Sequence, residues 1–202
     1  MKELLYILRH PSDGFEDMKQ KEGGSVKLST ASLLLFFVAS VLARQYTAPR
    51  FNFYEAASAN IFYIFISSAL LIMFFVIANW SVTTLFDGTG TFKQIYIVVS
   101  YSVTVYSVAL LSKVALSYVL TIEEMFWLNA VIFIGFLYTV VLIFMGLMTI
   151  HQFTGSKNTV SILISLAGVA ILLFLGFLLI SLFGQLFEFI RSLADELLNR
   201  SI

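Results

Sequence analysis

Long apolar runs broken by short polar stretches dominate the chain. Counting His151 as a break, the uncharged runs are 28–43, 56–86, 94–112, 125–150 and 158–187. A spanning helix needs about 20 apolar residues, since each residue rises about 1.5 Å through a hydrocarbon core about 30 Å thick. The first run is short, but Arg44 can extend it by snorkelling. The third continues past Lys113 to Ile122. The pattern predicts five transmembrane helices, near 28–47, 60–82, 95–120, 126–149 and 160–183. Pro11 and Pro49 lie outside all five, as expected for backbones that must satisfy their own hydrogen bonds in lipid. The expected fold is an all-α polytopic membrane protein.

The ends have a different pattern. Residues 1–27 form a lead-in, 28–183 the five-helix domain, and 184–202 an amphipathic tail. In the tail Leu186, Ile190, Leu193 and Leu197 recur at three- and four-residue spacing, with Arg191, Asp195 and Glu196 on other faces. Such a helix is expected to lie along the membrane surface. In the lead-in Asp13 and Glu16 have the spacing of an N-cap and its reciprocal partner, which predicts a short helix after Pro11. Residues 1–24 lack the apolar core of a signal peptide, so the lead-in is read as amphipathic and cytoplasmic.

Charge then sets the expected orientation. With the N-terminus inside, Lys2, Arg9, Lys19, Lys21, Lys27, Lys93 and Lys157 are cytoplasmic. Arg44, Arg50, Arg191 and Arg200 are outside. The bias follows the rule that cytoplasmic loops carry the excess of Lys and Arg, and it puts the C-terminus outside. Trp80 and Trp127 fall at span ends, where aromatic belts form.

Composition agrees with the pattern. The 202 residues are 59% hydrophobic and 12% charged, against about 25% charged in soluble domains. Mean hydropathy is +0.94. The formal net charge of zero gives no field for recruiting nucleic acid. There are no cysteines, which removes disulfides, thiolate metal sites and cysteine nucleophiles.

Few residues carry candidate chemistry. Apart from Arg44, near the end of the first, Lys113 is the one basic residue inside a predicted span. It sits about 25 Å from the cytoplasmic start of its helix, so it is expected to snorkel outward or pair with Glu123 or Glu124. Small residues share helix faces: Ser100, Thr104 and Ser107; Gly135, Thr139 and Gly146; Ser161, Ser165 and Gly168. These are expected packing seams, and a homodimer is one arrangement that suits them. His10 and His151 lack clustered carboxylates and are read as interfacial, with no metal site and no cofactor expected. The loop "FDGTGT" lacks the spacing of a phosphate-binding or dinucleotide-binding loop. Asp87-Gly88 predicts a tight turn with positive φ, and Thr91 a cap on the third span.

Three stretches carry a family resemblance: "LRHPSDGFEDMKQKEGG" (8–24), "NWSVTTLFDGTGTFKQIYIVVSYS" (79–102) and "LTIEEMF" (120–126). With them, the chain resembles the Yip family of Ypt- and Rab-GTPase-interacting membrane proteins, and its bacterial branch in particular. The second stretch is the specific one. The aspartate-leucine-tyrosine-glycine motif of eukaryotic members is absent. The resemblance implies a five-span fold and a role in organising other membrane proteins or lipids.

Two functional expectations follow. The first is a non-enzymatic scaffold or adaptor in a bacterial plasma membrane, which docks a membrane-protein partner through Asp87, Gly88, Gly90, Thr91 and Lys93. The second is a small transporter component or lipid-perturbing protein that uses Lys113. No enzyme is expected, because the spans hold neither a nucleophile–base pair nor a carboxylate cluster.

Overall fold

A computed structural model describes residues 2–21, 23–52 and 60–200. Among these the helices are α1 (Lys2–Arg9), α2 (Pro11–Gln20), α3 (Val26–Gln45), α4 (Ile61–Leu85), α5 (Phe92–Val119), α6 (Met125–His151) and α7 (Gly155–Arg200). A 3-10 turn, Ile122–Glu124, precedes α6. Five helices, α3 to α7, are long and apolar enough to cross a membrane. Each overlaps one predicted span, with ends displaced by a few residues except at the end of α7, which runs on to Arg200.

The described residues of α7 form one unbroken helix through the predicted division at residue 183. At 46 residues it is about 69 Å long, more than twice a hydrocarbon core. The side chains of Asp195 and Leu197, used in the amphipathic reading of the tail, lie outside those described, as do Ser201 and Ile202.

The most buried of the five, α5, is flanked by α6 and α3, and α7 packs chiefly on α4. α3 and α5 run parallel, so Phe36 meets Tyr106 and the Ala48 amide donates to Ser117 Oγ at 3.0 Å. α5 and α6 run antiparallel and approach closely through small residues. A Cβ on Gly146 would lie 2.5 Å from Val98, and one on Gly135 would collide with Ala109. Ser100, Ser102 and Ser107 turn their hydroxyls back onto the carbonyls four residues earlier. That satisfies the hydroxyls within α5 and leaves the contact surface apolar. On α7, Gly168 faces Ala78 of α4, and Ser165 Oγ accepts from Asn79 Nδ2 at 3.1 Å.

The lead-in is part of this core. α1 and α2 form a hairpin in which Ile7, Phe15 and Met18 are fully buried. Gly14 permits the close crossing, since a Cβ there would lie 2.7 Å from Ile7 Cα. Phe15 packs on Gly146 of α6, and Tyr138 donates its hydroxyl to Leu8 O at 2.8 Å. The expected Asp13–Glu16 capping pair does not form. α2 begins at Pro11, with His10 at the N-cap and no side-chain cap bond. The fixed φ of proline suits the first helical turn, which moves the start ahead of Asp13.

Candidate functional site

At one end of the bundle, here the proximal end, three segments meet: the end of α2, the α4–α5 loop and the α6–α7 turn. Their sequences explain why. The last carbonyls of an α-helix have no partner within the helix. At the end of α6, Gln152 takes a left-handed conformation (φ 55°), and the Gln152 and Phe153 amides donate to Thr149 O and Met148 O. Ile150 O accepts instead from Lys19 Nζ at 2.7 Å and from Thr89 Oγ1 at 3.0 Å. Lys19 Nζ also lies 2.8 Å from Thr89 Oγ1. A lysine at a helix C-terminus also opposes the negative end of the helix dipole. Partial burial lowers the Lys19 pKa from the usual lysine range.

His151 is buried and is the last residue of α6. Its ring stacks on Phe153 at 5.2 Å, with Lys157 Nζ 4.5 Å above the Phe153 ring. Its Nδ1 accepts the Gly90 amide at 3.2 Å, so that nitrogen carries no proton. The two loop glycines lie directly against this ring. A Cβ on Gly88 would lie 2.6 Å from Nδ1, and one on Gly90 2.7 Å from Cε1. Neither glycine has positive φ; Asp87 does, at 56°. The glycines are therefore needed for close approach rather than for turn geometry.

The rest of the 79–94 stretch is also tied down. Asn79 is buried against Ser165, and Trp80 meets Phe92 edge-on at 6.0 Å. Thr83 O accepts the Gly88 amide at 2.8 Å. Thr91 and Gln94 form a capping box on α5, with each side chain taking the other's amide. Asp87 and Lys93 are the exception. Both are exposed and make no hydrogen bond or ion pair among the described residues.

Lys113 lies near the opposite, distal end, where it lines a cavity with Arg44. It forms no ion pair with Glu123 or Glu124. The Glu124 carboxylate instead accepts from the Thr121 amide at 2.9 Å. Among the described residues no three potential metal-ligating side chains come together.

Lys19, Thr89 and Asn79 were missed by sequence reasoning as members of this assembly. For Lys19 a signal exists: it lies four residues after Phe15, on the face of α2 that turns inward.

A family model of the Yip1 domain matches residues 5–179. No curated protein and no solved structure matches the chain. The matched region starts in α1, contains the whole proximal assembly and ends inside α7. With a match over most of its length and five membrane-crossing helices, the chain belongs to the Yip1 domain family and is a multi-pass membrane protein.

Proposed function

We propose that the protein is a non-enzymatic scaffold or adaptor that docks another membrane protein on its proximal face. The N-terminus and that face are cytoplasmic in a bacterial plasma membrane, and the C-terminus is outside. One observation carries the reading: the α4–α5 loop is braced by Lys19, His151 and Thr83, yet Asp87 and Lys93 remain exposed and, among the described residues, unpaired. A loop ordered in advance loses little entropy on binding, and opposed charges on it select partner and register. The Lys and Arg bias supports the orientation.

Co-purification from native membranes tests the docking role. A partner held by the wild type is expected to be lost from Asp87→Asn and Lys93→Gln. If both variants retain every partner, the docking surface is wrong. Orientation is tested separately with single cysteines at Leu85 and Val119, both exposed. A membrane-impermeant maleimide added to intact cells should label position 119 alone.

A further inference from the structure

The α1–α2 hairpin reaches deeper along the bundle than a surface lead-in would. Both of its open ends lie at the proximal end. There the Glu3 carboxylate accepts the Gly24 amide just before α3, and Lys19 meets the last turn of α6. Below them Phe15 lies beside Gly146, and at the tip Leu8 O accepts the Tyr138 hydroxyl at 2.8 Å. Tyr138 is the middle residue of α6, 13 residues before its end at His151, about 20 Å along the axis. The bundle is at its midpoint there. Phe36, Tyr106 and Phe136 form a chain of ring contacts between the central turns of α3, α5 and α6. A tyrosyl side chain spans less than half of that distance, so the tip stands well below the proximal end.

Two opposite demands meet at this depth. Arg9, His10, Ser12 and Asp13 at the tip are exposed, with His10 stacked on Tyr6. Neither Arg9 nor Asp13 is in an ion pair among the described residues. Leu137 and Val141, on either side of Tyr138 along α6, are exposed as well. Hydrocarbon suits the two α6 residues, but a charge facing hydrocarbon near the bilayer centre is strongly disfavoured. A bilayer resolves such a conflict by thinning locally, which brings headgroups and water to the charge. The outer face of α2 stays polar above the tip, with Glu16 and Gln20 exposed. Headgroups entering from the proximal surface therefore meet polar atoms all the way down.

We propose that the outer face of the hairpin is an interaction surface for phospholipid headgroups, which it draws down beside α6 so that the bilayer is thinned there. Arg9 takes a phosphate, since a guanidinium matches phosphate geometry. The hydrocarbon between the tip and the distal end of α6 is then roughly 20 Å thick, against about 30 Å in an unperturbed core. The surface is separate from the docking loop and does not depend on which way the chain is oriented.

The test uses the full chain with one cysteine at a time, Ser12→Cys, Val141→Cys or Leu34→Cys, each carrying an environment-sensitive fluorophore. All three positions are exposed. Leu34, two residues from Phe36, reports the α3 side of the bundle at a depth comparable with Val141. The chains are reconstituted in phosphatidylethanolamine–phosphatidylcholine vesicles, with quenchers in the water, on the headgroups or midway along the acyl chains. The Ser12 label is expected to be quenched by aqueous iodide and by the headgroup quencher. The ratio of headgroup to acyl-chain quenching at Val141 is expected to exceed that at Leu34 several-fold. Arg9→Leu combined with Asp13→Leu, at two exposed positions, removes the demand for headgroups and should bring the Val141 ratio down to that of Leu34. Equal ratios at Val141 and Leu34 without those changes, or a Val141 ratio indifferent to them, would overturn the proposal. So would a Ser12 label quenched chiefly from the acyl chains, because hydrocarbon then covers the face. A Ser12 label reached by no quencher would assign the face to a protein, either a second copy or another partner, and overturn it as well.

Discussion

The Gly90 amide donates to Nδ1 of His151 across 3.2 Å, joining the α4–α5 loop to the end of α6. The contact needs a residue without a side chain on one partner and an unprotonated nitrogen on the other. Alanine at Gly90 would place its Cβ 2.7 Å from Cε1 of a ring already stacked on Phe153. Gly90→Ala and Gly88→Ala are each expected to lower stability by about 1–3 kcal/mol, the usual range for overpacking. Gly176→Ala, where nothing lies within 4 Å, should have little effect. Thermal unfolding in detergent compares the three. In the His151→Ala background Gly90→Ala should cost much less, because the colliding ring is gone.

Lys19 secures the same loop from the other side. Lys19→Met keeps the aliphatic stem but removes the donor to Ile150 O and Thr89. A loss of about 1–3 kcal/mol is expected, as for a hydrogen bond from a charged group. Hydrogen exchange should rise in residues 86–91 and in α2, while the distal ends of α5 and α6 stay unchanged.

The hairpin docks through Phe15. Its truncation to alanine leaves a void against Gly146 and Val98, which costs roughly 3–5 kcal/mol for a fully buried phenylalanine. Because the α1–α2 hairpin depends on this anchor, Phe15→Ala should also make residues 8–24 sensitive to protease. Undiminished resistance would mean the hairpin is held by other contacts.

Asn79 and Ser165 tie α4 to α7 inside the membrane domain. A double-mutant cycle with Asn79→Ala and Ser165→Ala should give a coupling of about 0.6–1.7 kcal/mol, the range of hydrogen bonds between membrane helices. Zero coupling would make the pair incidental to the α4–α7 contact.

Much of this architecture is legible in the chain, for identifiable reasons. Runs such as 125–150 have no stable home outside a membrane, so the five long helices follow from length and hydropathy alone. Thr91 followed by Gln94 marks the start of α5 as a local cap, and local hydrogen bonding is what a short sequence window encodes. The hairpin is less legible. Ile7, Phe15 and Met18 define an apolar face, but a periodic face does not name what covers it, and a membrane surface is as good a partner as α6. His151 is harder still. Its burial depends on two glycines 61 and 63 residues earlier in the chain, a contact set by tertiary packing. The glycine pair suggests a turn, whereas at both positions the need is for space beside a ring. Lys113 is visible as a charge in a span, but the cavity beside it is made by three helices together.

The central claim is that the braced α4–α5 loop presents Asp87 and Lys93 to a protein partner. The chain has no cysteine, so Leu85→Cys places a unique thiol at an exposed position beside Asp87 while leaving both charges in place. A photo-crosslinker on that thiol, irradiated in native membranes, should give a discrete protein adduct. The adduct should vanish when Asp87→Ala or Lys93→Ala is added and persist when Gly176→Ala is added. Adducts to lipid alone, or a protein adduct indifferent to both charges, would contradict the account and reduce the loop to a structural fastening between helices.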